Sequence, residues 1–218
     1  MPATTGANLV LAPEVSRAAA PGPLSVAGRS LLDMTDVALP LYTVEEYFGL
    51  VEGGQLDPDA KVELLEGVIV EMVPQTSHHA VCIRRIHEAL RTCFDCEIRA
   101  GLPFIAGSRS GPEPDLVVVP GSMDDYLEHH PTEALLVVEV SHSSLPVDRL
   151  SKSRIYSAAG VPEYWIANLV DHRLEVHRDP DREGRVYRST ASLGAGESIT
   201  PLAAPDHRLV ISELLPPR

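Results

Sequence analysis

Two carboxylates and one lysine are the residues of this chain best placed to do chemistry. Asp115 opens an apolar run just after Pro114. Glu139 lies inside a second run, between Val138 and Val140, and Lys152 follows in a segment of helical spacing. Carboxylates at the ends of neighbouring strands can converge on one cation, and oxygen donors of this kind suit Mg²⁺ or Mn²⁺. A lysine beside them can stabilise negative charge that develops on a phosphodiester during its cleavage. The competing reading of Glu139 is a structural ion pair, because a buried carboxylate is costly unless paired or metal-bound. Spacing leaves these two readings level.

Other residues stand near this set. Glu63, between Val62 and Leu64, is a weaker ligand candidate, since strand alternation favours an outward-facing carboxylate there. Lys152 follows Asp148 by four residues and Tyr156 follows Lys152 by four, so all three share one helix face. As an exposed pair, Asp148 and Lys152 would contribute only about 0.3–0.5 kcal/mol. Beside a scissile phosphate the ammonium would matter far more, with Arg149 and Arg154 adding positive charge. His78 and His79 begin a long helix and read first as helix-start residues, with an anion contact as the alternative. Ser141, Ser143 and Ser144 read as loop and cap residues, and no P-loop, G-x-G-x-x-G or G-x-S-x-G motif is present.

The elements that must position these residues are legible from pattern. Thr43 to Glu46 forms a capping box for a helix over 44–51, ended by Gly53-Gly54. Residues 61–66 and 68–72 read as a hairpin around Gly67. Residues 78–93 form an amphipathic helix with Val81, Ile83, Ile86, Ala89 and Leu90 near one face. Strands are expected at about 96–106 and 115–119, and the run 134–140 fits a central strand buried on both faces. A helix over 148–159 stops at Gly160 and Pro162. Strands at 163–167, 173–177 and 185–189 then form an antiparallel meander, and 209–215 adds a strand or a helical turn. Together they predict an α/β domain with a mixed sheet over residues 39–218. Residues 1–38, rich in Ala, Pro, Gly and Ser, read as a flexible extension.

Composition bounds the partners. The 218 residues include 44% hydrophobic and 22% charged, enough for a sizeable core. The formal charge of -13 argues against a broad basic face for nonspecific nucleic-acid binding. A bound cation or a local basic patch can override that sign. Cys82, Cys93 and Cys96 are too few for a disulfide scaffold and fit a reducing cytoplasm. Cys93 and Cys96 form a lone C-x-x-C without the second pair of a zinc ribbon. No apolar run is long enough to span a membrane, and no secretory leader is expected.

The chain resembles the Uma2 family of the PD-(D/E)XK nuclease superfamily. The resemblance rests on residues 42–47, 62–67, His79, Pro114-Asp115-Leu116, Val138 to Ser141, Asp148-Arg149, Lys152, Tyr156 and residues 159–166, within a span of about 41–215. It implies a restriction-endonuclease-like mixed sheet flanked by helices, often as a homodimer. It implies a site on Glu63, Asp115, Glu139 and Lys152, with Mg²⁺ or Mn²⁺ held by Asp115, Glu139 and the Val140 carbonyl. His79, Asp148 and Tyr156 would support the site or touch phosphate. The superfamily pattern puts its lysine two residues after the second acid, where this chain has Ser141; Lys152 on the following helix takes its place, as in the family's own variant. Val62 stands where the family often has Tyr. The expectation is a metal-dependent DNA endonuclease. The alternatives are a non-catalytic binding or dimerisation module and a metal-dependent hydrolase of a small phosphorylated substrate.

Overall fold

The computed structural model describes residues 41–57, 60–72 and 74–217. The N-terminal extension expected over 1–38 lies outside the described residues. Helix α1 (Val44–Glu52) begins at Thr43 with the reciprocal capping box that the sequence predicts. Strands β1 (Val62–Leu65) and β2 (Val68–Glu71) form an antiparallel hairpin, and Leu64 bridges to Gly111. The hairpin packs on α1 through Tyr47, Val62, Leu64 and Ile69.

Six strands make the main sheet. In chain order they are β3 (Glu97–Arg99), β4 (Leu116–Val119), β5 (Leu136–Ser141), β6 (Glu163–Asn168), β7 (Arg173–Asp181) and β8 (Val186–Leu193), and they are neighbours in that same order. Only β5 and β6 run parallel. Parallel neighbours need a crossover, and the helical segment between them supplies it. Every residue of β5 is buried, as an apolar run flanked on both faces requires. The meander over β6, β7 and β8 is antiparallel as expected, with β7 and β8 longer than the pattern indicates. The expected strand over 96–106 is shorter. Beyond Arg99 the chain leaves the ladder, and Phe104 and Ile105 hydrogen-bond instead to the carbonyls of Pro112 and Pro131.

The sheet separates two apolar layers. On one face α2 (Ser77–Arg91) packs Cys82, Ile86 and Leu90 against Leu116, Val118, Leu136, Val138 and Val140, beside a C-terminal turn carrying Ile211 and Leu214. On the other face Ile155 and Tyr156 pack against Val117, Val137, Tyr164 and Ile166. Buried Glu163 accepts from Trp165 Nε1 at 2.9 Å, Arg178 Nε at 2.9 Å and the Leu202 amide at 2.7 Å, tying two strands to the C-terminal segment. Among the described residues no helix is long and apolar enough to cross a membrane.

The crossover after β5 is not one α-helix. A short α3 (Leu145–Val147) leads into a π-helical turn over Asp148–Lys152, and α4 (Ser153–Ala159) follows. The Ser153 amide reaches back to the Asp148 carbonyl, which also accepts from the Tyr164 hydroxyl at 3.1 Å. One residue is therefore added to a turn without changing the apolar pattern. Gly160, at φ 82°, ends α4 in the left-handed conformation that glycine favours.

Candidate active site

Strand alternation aims Glu139 at the α4 side of the sheet, because its neighbours Val138 and Val140 face α2. Leu116 pairs with Val138 in antiparallel register, so Asp115, one residue earlier, lies opposite Glu139. Asp115 Oδ2 accepts from the Val140 amide at 2.7 Å. His79, in the first turn of α2, brings Nε2 to 3.2 Å from the same oxygen, and Gln75 Nε2 lies 3.3 Å from Oδ1. The helix cap itself is Thr76, which accepts from the His79 amide, so the His79 ring is left to meet Asp115.

Lys152 enters from the π turn. Its Nζ is 3.0 Å from Glu139 Oε1 and 3.2 Å from Glu63 Oε1. Tyr156, one turn on, donates its hydroxyl to Glu139 Oε1 at 2.7 Å. Glu63 is buried rather than outward-facing, and its Oε2 accepts from the Glu113 amide at 3.1 Å. Asp148 is also buried and forms no surface pair with Lys152; it accepts from Ser141 Oγ at 2.7 Å. Ser141 thus anchors the start of the turn that carries the lysine.

These residues line one cavity of about 410 Å³, walled on its outer side by Val68, Val70 and Met72 of the hairpin. Seven carboxylates border it against one lysine, so its field attracts cations. Burial raises the proton affinity of Glu139 well above the usual carboxylate range; Lys152 opposes this, and Asp148, Asp115 and Glu63 add to it. Burial pushes the Lys152 pKa down, but Glu139, Glu63 and Asp148 outweigh it and hold the pKa well above normal. Burial likewise raises Asp148. Burial would lower His79, and its hydrogen bond and charge contact with Asp115 outweigh that and raise it.

The donor chemistry fits a hard divalent cation. The donors are carboxylate oxygens with negative charge in excess, and Asp115 Oδ1 accepts from the neutral Gln75 amide. As the side chains stand, with Lys152 between Glu63 and Glu139, no three His, Cys, Asp or Glu groups among the described residues are arranged to grip a metal.

The structure brings Glu63, His79, Asp115, Glu139, Val140, Asp148, Lys152 and Tyr156 together around this cavity. Sequence reasoning did not single out Gln75 or Glu113. A signal for Glu113 exists, since Pro112 and Pro114 fix the chain on either side of it and it immediately precedes the Pro114-Asp115 motif. Burial and the nearby Glu63 raise its pKa, opposed by Lys152 and Lys61. Three arginines that could have edged a nucleic-acid groove are engaged elsewhere: Arg84 with Glu88, Arg85 with the Leu215 carbonyl and Arg149 with Glu175.

A mixed sheet with this helical flanking is the fold of a crystal structure from Anabaena variabilis, described as "a putative nuclease belonging to DUF820". The two share 17% identity with a TM-score of 0.60, over 79% of this chain and 97% of that one. No curated protein shows a significant sequence match. Residues 44–212 match the Uma2 family, described as "Putative restriction endonuclease", and the chain belongs to that family.

Proposed function

We propose that the protein is a divalent-cation-dependent endonuclease that hydrolyses phosphodiester bonds in DNA. The reading rests on one observation, the convergence of Glu63, Asp115, Glu139 and Lys152 in a single cavity. Asp115, Glu139 and the Val140 carbonyl are the groups that would hold Mg²⁺ or Mn²⁺. When bound, the cation supplies Lewis acidity and lowers the pKa of water.

The chain's own groups do the rest. Lys152, held charged, is the hydrogen-bond donor available to a phosphoryl oxygen as negative charge builds on it. Its position between two carboxylates keeps the ammonium in place before substrate arrives. Tyr156 fixes the Glu139 carboxylate, and His79 and the Val140 amide fix Asp115. Glu63 orients the lysine from the hairpin side. The reading includes a cytoplasmic homodimer, the assembly that the family resemblance implies; the three free cysteines accord with a reducing compartment.

A second reading, hydrolysis of a small phosphorylated compound, draws on the engagement of Arg84, Arg85 and Arg149 away from the cavity. Incubation of supercoiled plasmid with and without Mg²⁺ or Mn²⁺ separates the two. Metal-dependent nicking supports the endonuclease. Turnover of small phosphodiesters with intact plasmid supports the alternative.

A further inference from the structure

The solvent-facing side of the cavity carries one carboxylate engaged by arginines. Glu66 lines the cavity and forms ion pairs with Arg154 of α4 and Arg185 before β8. Arg154 Nε is 3.2 Å from Glu66 Oε1, and the Nη2 atoms of both arginines also contact the carboxylate. Two guanidiniums share one carboxylate, so the cluster carries one positive charge in excess beside an otherwise acidic cavity. The side chains of Arg154 and Arg185 are 48% and 44% exposed, so a ligand can reach both from solvent.

The backbone of Glu66 is unusual for its residue type. Glu66 and Gly67, at φ 50° and 87°, form the two-residue turn between Leu65 and Val68. A turn with positive φ at both positions favours Asn, Asp or Gly at the first, and a glutamate there is uncommon. Its side chain is the feature that Asn or Gly would not supply, since it spans from the turn to both arginines.

We propose that Arg154 and Arg185 form a phosphate clamp for the substrate strand, closed in the free protein by Glu66. Carboxylate and phosphate are the two anions that a guanidinium fork grips in the same way. Glu66 then stands where a phosphate flanking the scissile one binds, and the strand displaces it. Arg154 follows Lys152 by two residues, so one helical segment carries both the reacting-site lysine and half of the clamp. The identity of the ligand rests on the phosphodiester reading above.

The test is binding of a fluorescein-labelled single-stranded oligodeoxythymidylate in EDTA, measured by anisotropy across a salt series, so that no cleavage intervenes. Arg154→Ala and Arg185→Ala weaken binding, and each lowers the slope of log affinity against log salt by about 0.7, the loss of one single-strand phosphate contact. Glu66→Gln tightens binding several-fold because the competing anion is gone. A purely structural latch predicts a lower melting temperature for Glu66→Gln with no gain in affinity, and that result overturns the clamp. Unchanged binding in both arginine variants, or no binding by wild type and Glu66→Gln, also overturns it. Plasmid nicking is run in parallel: nicking with unaltered oligonucleotide binding in the arginine variants removes the clamp alone. The predicted binding pattern without nicking removes the endonuclease reading and leaves the clamp.

Discussion

Lys152 Nζ lies 3.0 Å from Glu139 Oε1, joining the π turn of the crossover to strand β5 of the sheet. Both are almost fully buried. Removing the ammonium leaves Glu139 and Glu63 without their cation. Lys152→Ala therefore destabilises the fold by about 3–5 kcal/mol, the cost of an uncompensated buried charge. Millimolar Mn²⁺ restores part of that loss by binding the freed carboxylates. Thermal melts of wild type and variant, with and without Mn²⁺, check both statements.

Tyr156→Phe removes the hydroxyl that donates to Glu139 at 2.7 Å and leaves the ring's packing intact. The buried carboxylate loses one of its two donors. Denaturant unfolding is expected to show a loss of about 1–3 kcal/mol.

Glu163→Ala tests a charge cluster away from the cavity. It strips Arg178, Trp165 Nε1 and the Leu202 amide of their shared acceptor. Stability falls by about 3 kcal/mol or more, while cleavage per folded molecule is retained. A loss of cleavage with unchanged stability would assign Glu163 to the chemistry instead.

His177 sets a pH dependence. Its ring lies 5.5 Å from Tyr164 and 5.9 Å from Tyr187, and its buried Nε2 has no hydrogen-bond partner among the described residues. Burial lowers its pKa; Glu175 opposes this and Arg149 adds to it. The unfolded chain binds a proton at about pH 6.5, before the folded state does. Its contribution to stability is therefore present above that value and declines as pH falls toward the lowered folded pKa. Unfolding midpoints between pH 8 and pH 5 should fall more steeply for wild type than for His177→Phe.

Much of this architecture was legible because burial leaves a mark on residue type. The run ending in Val140 announced β5, and the capping box at Thr43 announced α1. Asp115 and Glu139 stood out because carboxylates are costly in such runs. Glu63 was harder to read, since β1 is buried throughout and alternation carries no signal there. The π turn was invisible because one extra residue leaves the apolar spacing of 148–159 helical. The expected strand over 96–106 overshot because extended loops and ladders share the same residues; carbonyls of Pro112 and Pro131, distant in sequence, take the place of a partner strand. The pairing of Arg149 with Glu175, and of Arg154 with Glu66, depends on strand register that no local pattern records.

Metal-dependent endonuclease activity is tested by the rate of supercoiled plasmid cleavage in Mg²⁺ or Mn²⁺ by wild type, Asp115→Ala and Lys152→Ala, with folding verified for each. Metal-dependent cleavage by wild type is expected, with a loss of about a hundredfold or more in both variants. Cleavage that survives in Lys152→Ala, or wild type that neither cleaves nor binds metal by calorimetry, would contradict this mechanism.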